Sequence, residues 1–139
     1  MITFELAIKM LQFAQSDARK NNYRPMGIVI VDGNSNLVAS ARELGASALR
    51  LDIAGGKANA AIGMGINSRT LAQRAVDMPV FFGAIAATSR LSFIPQTGAL
   101  LIKNEVGEVL GAIGASGGTG DEDEQICNFA IDEVGLLKG

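Results

Sequence analysis

The stretch "GAIGASGGTGDEDEQI", residues 111–126, gathers more potentially reactive groups than any other part of the chain. Within it, Gly114-Ala115-Ser116-Gly117-Gly118 reads G-x-S-x-G, the spacing that presents a nucleophilic serine on a strand-to-helix turn. Such a serine needs a base hydrogen-bonded to its hydroxyl, almost always histidine, and the chain has none. Lys57 could supply the base of a Ser–Lys pair, but nothing in the spacing supports that pairing. Without a base the small residues read as a tight turn that Ser116 fills. Nucleotide loops fail on single positions. Asp123 stands where G-x-G-x-x-G needs glycine after Gly118 and Gly120, and Leu51 and Ala58 replace the glycine and hydroxyl of a phosphate loop around Gly56-Lys57.

Asp121-Glu122-Asp123-Glu124 is the densest run of charge. Thr119 followed three positions later by Glu122 has capping-box spacing, and carboxylates in a first turn oppose the helix dipole favourably. A hard-cation site is the functional counterpart, since Mg²⁺ and Ca²⁺ take carboxylate oxygens. Ile126 stands where a calcium loop would require glycine, and four carboxylates would repel a phosphate. The capping role is the expectation.

Arg42, Glu43, Arg50, Asp52 and Lys57 form the second polar set, between the end of the first hairpin and the following helix. One reading is a solvated face with weak ion pairs. The other is a pocket floored by the helix backbone at Gly55-Gly56, where Arg and Lys fix an acidic ligand and the Ser116-Gly117-Gly118 turn forms a wall. In an enzymatic version Glu43 or Asp52 is the base and Lys57 or Arg42 the electrophilic group. The reaction would be proton transfer or addition–elimination on a carboxylated metabolite. Met64 and Met78 read as core filler.

The elements that must position these groups follow from periodicity. Helical spacing runs over residues 3–21, with Thr3 as cap and Asn21-Asn22 as stop. Two β-rich runs, Met26–Val31 and Leu37–Ala41, flank Asp32-Gly33-Asn34-Ser35-Asn36 as a hairpin. Residues 47–66 predict a long helix capped at Ser47. Its interior glycines cost about 1 kcal/mol each relative to alanine, so Gly55-Gly56 predicts a close neighbour: a helix, another subunit or a ligand. A shorter helix is expected over 68–76, an irregular or helical turn over 79–89, and a second hairpin over 99–103 and 107–115. A final helix closes the chain from Gly120 to Leu136. This order implies one domain over residues 1–139, an α/β (α+β) fold with an antiparallel sheet covered by helices.

Composition narrows the function. The chain has 139 residues, 12 basic against 14 acidic, a net charge of −2 and 5% aromatics. That leaves neither a basic surface nor a stacking platform for nucleic acid. With no His and one Cys an ordinary zinc site cannot be built, and an internal disulfide is excluded. No apolar run approaches the roughly 20 residues that span a bilayer. The expectation is a cytoplasmic protein.

Taken together, "IVIVDGNSNLVASAR", "LDIAGGKANAA" and "GEVLGAIGASGGTGDEDEQI" resemble the GlcG/HbpS family of haem-degrading or haem-binding proteins. That family is related to the C-terminal domain of PduO-type corrinoid adenosyltransferases, and the resemblance spans nearly the whole chain. It implies a profilin-like fold, a homo-oligomer and a small-molecule-binding accessory role, with haem, another tetrapyrrole or a small organic acid as ligand. The chain departs from the pattern at Arg42-Glu43-Leu44-Gly45, where members often read Arg-Met-Asp-Gly, and at Thr97–Ile102. Haem is the cofactor the resemblance implies, yet the commonest iron ligand is missing. Tyr23, Cys127, a Met, a Lys or a Thr would have to replace it.

Overall fold

The computed structural model describes residues 1–139. Helix α1, Phe4–Lys20, starts where the Thr3 hydroxyl accepts the Leu6 N–H at 3.1 Å. It buries Ala7, Met10, Leu11, Ala14 and Ala18, which the 3.6-residue repeat sets on one face. Strands β1, Gly27–Asp32, and β2, Leu37–Arg42, form the expected hairpin. Its turn is held by the Asp32 carboxylate, which accepts the Asn34 and Asn36 N–H groups at 2.9 Å each. Helices α2, Arg50–Met64, α3, Ser68–Asp77, and α4, Pro79–Thr88, follow. The second hairpin is β3, Ala99–Lys103, with β4, Val109–Ser116. Helix α5, Gly120–Glu133, and the short β5, Leu137–Lys138, complete the chain.

The strands form one antiparallel sheet in the order β2-β1-β4-β3-β5. Strand alternation divides its side chains between two layers. Ile28, Ile30, Ile102, Ile113 and Ala115 share a core with α1 and α5. Val29, Val31, Leu101 and Ala112 pack against Ala54, Ala58 and Ala61 of α2. The alanine face of α2 and the bare Gly114 allow contact at backbone range, since a Cβ at Gly114 would strike the Ala54 carbonyl. This explains the helix's alanine and glycine content: α2 lies flat on the central strand.

Three expectations change. Helix α2 starts at Arg50 and not at Ser47, because residues 47–50 first make a turn in which the Ser47 carbonyl takes the Arg50 N–H at 3.1 Å. Residues 79–88 are a regular helix. Pro79 opens it, supplying a helical φ and lacking an N–H that would be unpaired there. The last helix stops at Glu133, because Gly135 turns left-handed at φ 75° and sends residues 137–138 to pair with β3.

Candidate functional site

Ser116 closes β4 on the α2 side of the sheet and is 1% exposed. Its Oγ accepts a hydrogen bond from Arg50 Nη1 at 3.0 Å. The hydroxyl is therefore held by a cation and not by a base. Gly117 passes so near the Pro25 carbonyl that a Cβ would overlap it, and the Gly118 N–H donates to Asp123 Oδ1 at 2.9 Å. The G-x-S-x-G match is a strand-to-helix turn built for close passage.

Lys57 and Asp123 meet beside that turn. Lys57 Nζ donates to Asp123 Oδ2 and to the Ala115 carbonyl, each at 3.0 Å, with both side chains almost wholly buried. Burial pushes the Asp123 carboxyl above its ordinary value; the Lys57 ammonium and the Gly118 N–H oppose that rise. Cys127 lies next to the pair with its thiol on the Gly98 carbonyl at 3.6 Å, and burial raises the thiol far above its usual range. Gly98 itself, at φ 134°, leaves space where a Cβ would meet Lys57 Nζ at 2.6 Å. No buried side-chain polar atom lacks a partner. Every group here already has its contacts within the chain.

The acidic run divides among three roles. Thr119 and Glu122 form the capping box, and Arg69 joins Asp121 and Glu124 across to α3. Asp123, one residue on, turns inward to Lys57. Nowhere do three or more Cys, Asp or Glu side chains converge as a metal ion would require.

Arg42 and Glu43 stand elsewhere, beside α1. Glu43 accepts the Met26 N–H at 2.9 Å and Gln15 Nε2 at 3.0 Å, and pairs with Arg19 Nε at 2.9 Å. Arg42 donates to the Ala46 carbonyl at 2.7 Å. Glu43 ties α1 to the end of the first hairpin, and Arg42 braces the loop that follows it. The expected grouping of Arg42, Glu43 and Lys57 around one ligand does not form.

Asp52 and Gly55 are on the outward face of α2, where the surface opens into a two-lobed cleft. The polar lobe, about 500 Å³, lies between α2 and the β1–β2 hairpin, with Val29, Val31, Ser40, Asp52 and Gly55 in its lining. The apolar lobe, about 450 Å³, lies between the end of α2, α4 and the following segment, with Met64, Phe81, Ile85, Leu91 and Phe93 in its wall. Ser35, Asn59 and Leu91 border both lobes.

The 89–94 segment is clamped to α2. Asn59 Nδ2 donates to the Ser92 carbonyl at 3.2 Å, and the Ile94 N–H reaches the Gly56 carbonyl at 3.1 Å. A Cβ on Gly56 would sit 2.7 Å from Ile94 Cγ1, so the close neighbour expected at Gly55-Gly56 is the chain's own Ile94. Gly55 meets only the Val29 methyls, at 3.9 Å, and stays open to the cleft.

Residue types alone gave little warning of the apolar lobe. One signal was available: "PVFFGAIAAT" is apolar almost throughout, yet α4 buries only Phe82. Of the alternative iron ligands, Cys127 is sealed in the core, and Tyr23 Oη donates to Gln125 Oε1 at 2.5 Å. Met64 alone among the soft donors borders the cleft. No helix is long and apolar enough to cross a membrane.

Solved structures share this architecture. The crystal structure of a PduOC:heme complex matches at TM-score 0.86 and 20% identity, over 98% of this chain and 96% of that one. A double mutant of Streptomyces reticuli HbpS matches at TM-score 0.84 and 26% identity, covering 96% and 87% respectively. Klebsiella pneumoniae protein ORFY matches at TM-score 0.84 and 24% identity, covering 94% and 88%. Among curated protein sequences no relative matches. The sequence model of the family described as "Haem degrading protein HbpS-like" matches residues 2–132, nearly the full length that folds into this sheet and its covering helices, and the chain belongs to that family.

Proposed function

We propose that the protein is a small-molecule-binding accessory protein whose apolar lobe takes a flat tetrapyrrole such as haem, and that it works as a homo-oligomer. The observation that carries this reading is the lobe's chemistry. Its volume falls in the range of ligand sites, its walls include two phenylalanines, and no charged residue lines it. Phe81, Phe93, Ile85 and Leu91 would hold the macrocycle, and the Met64 thioether is of the type that ligates haem iron. Bound haem would supply redox and ligand-binding chemistry at its iron; the chain's part is to bind the ring and keep water from one face. Arg90, between the lining residues Ser89 and Leu91, is exposed and has no acidic partner, which suits a propionate at the rim. The PduOC:heme complex gives support by likeness of fold.

The oligomer has separate support. Val76 on α3 and Val80 on α4 are exposed, Val80 at 87%, and large apolar side chains left in water gain from cover by a second copy. An acid–base enzyme finds less: Glu43 is bound into the α1 contact, Lys57 faces the core, Arg42 holds the Ala46 carbonyl, and Asp52 borders the cleft with no cation in the lining beside it.

Titration of the purified protein with haemin should give a saturable Soret shift at one haem per chain. The same titration with Ile85→Glu, which sets a carboxylate in the lobe, should give none. A wild-type protein that leaves the haemin spectrum unchanged overturns the tetrapyrrole reading. Native mass spectrometry of the same samples reads the subunit number directly, and a monomer would overturn the oligomer.

A further inference from the structure

The polar lobe has a charge pattern unlike that of its neighbour. Asp52 is the only charged residue in the lining of either lobe, with Arg90 outside the lining at the rim of the apolar one, and its exposed carboxylate has neither an ion pair nor a hydrogen bond within the chain. No lysine or arginine borders the space: Lys57 points to Asp123, Arg50 to Ser116 and Arg42 to Ala46. The floor is aliphatic, from Val29, Val31 and Leu51, and the bare Gly55 leaves room for a ligand against the helix. Ser40, Asn59 and Ser92 add hydroxyl and amide groups at the edges.

We infer that this lobe is a second binding site, for a small organic cation with an apolar body, such as an arylalkyl ammonium. The ammonium group sits against Asp52, and the hydrocarbon lies on Val29, Val31 and the backbone at Gly55. An apolar floor draws the body of the ligand out of water. The single carboxylate then selects by charge, since a carboxylate guest would face Asp52 with no compensating cation. The acidic ligand expected from Arg42 and Lys57 gives way to its opposite in charge, because those cations are turned elsewhere. The site adjoins the haem lobe and shares Ser35, Asn59 and Leu91 with it, but Asp52 and the floor at Val29, Val31 and Gly55 border the polar lobe alone.

The test uses three probes of one shape on the haem-free protein: phenethylamine, phenethyl alcohol and phenylpropionate, each titrated calorimetrically. Phenethylamine should bind roughly tenfold or more tighter than the alcohol, the order expected for a hydrogen bond to a charged group, and phenylpropionate should bind weakest. Asp52→Asn should bring the amine-to-alcohol ratio close to one while leaving alcohol affinity unchanged. Because Asp52 lies in the first turn of α2, this ratio is the deciding readout: a helix-dipole role would not move it. Gly55→Leu fills the floor and should remove binding of all three. Equal binding of the three probes, a tighter acid, or a ratio that survives Asp52→Asn would overturn the inference. Haemin titration of Asp52→Asn keeps the two proposals apart, since its Soret response should equal that of the wild type.

Discussion

Two regions flank the same helix and differ in almost every respect. On its inward side, α2 sends Lys57 into a sealed network with Asp123, the Ala115 carbonyl and, beyond them, Cys127. On its outward side it presents Gly55, Asn59 and Gly63 to an open cleft, with Asp52 unpaired. The sealed region has the residue types of a catalytic site and none of its openness. The open region looks bland as sequence, but it alone has space for a guest. Charged residues in a row are a poor guide to a site; charge without a partner beside empty volume is a better one.

The widest predicted difference between the regions is in Cys127. Buried and held protonated, its thiol should resist a disulfide reagent in the native protein and react fully, one per chain, in denaturant. Protection should approach the whole unfolding free energy, on the order of 5–15 kcal/mol. Native labelling as fast as in denaturant would show that the sealed region is open. The raised thiol also fixes a pH trend. The unfolded chain loses this proton near its ordinary value, about 8.5, whereas the folded chain keeps it. Cys127 therefore adds its full stability below about pH 8.5 and loses it steadily above. Denaturant midpoints measured from pH 7 to 10 should decline, and Cys127→Ala should decline less.

Breaking the buried pair comes next. Asp123→Ala leaves Lys57 charged and without its partner in the core, at a cost of about 3–5 kcal/mol in urea unfolding. The double variant Lys57→Met, Asp123→Leu should recover most of that loss. If it does not, the pair is more than a paired charge.

Glycine substitutions sharpen the contrast along α2. Gly114→Ala pushes a methyl group into the Ala54 carbonyl and should cost about 1–3 kcal/mol. Gly63→Ala has nothing before it and should gain up to about 1 kcal/mol from helix propensity. Equal effects at the two positions would mean that α2 does not rest on β4 as described. The smallest effect is expected at Asp52→Asn, which should leave stability within about 0.5 kcal/mol while changing ligand selectivity.

Much of the architecture is legible in the order of the residues. Thr3 and Thr119 mark helix starts and Asp32–Asn36 marks a hairpin turn, because each depends on contacts within a few residues, and the short apolar runs of β1 and β4 mark strands buried on both faces. The start of α2 was less legible. Ser47 has the chemistry of a cap, but the chain makes one more turn before the helix begins. Helix α4 is not legible as a full element, because an apolar run with a proline and a glycine has no polar face to show its period. Of the expected site residues, Asp52 and Gly55 border the cleft, whereas Glu43 binds α1, Arg42 holds the Ala46 carbonyl, and Lys57 and Ser116 face inward. The cleft's own walls, Phe81, Ile85 and Phe93, carried no chemical signal.

By itself, the amino-acid sequence determined the antiparallel sheet with its helices, the family, and the classes of chemistry that a chain without histidine cannot perform. Turn residues, caps and periodicity act locally, so they hold whatever the rest of the chain does. Only the tertiary structure decided that Lys57 would find Asp123, 66 positions away, and that Asp52, a turn earlier on the same helix, would find nothing. That choice rests on which face of α2 lies on Gly114 and which looks out past the clamped 89–94 segment. It is set by packing across the sheet and cannot be read from neighbours in sequence.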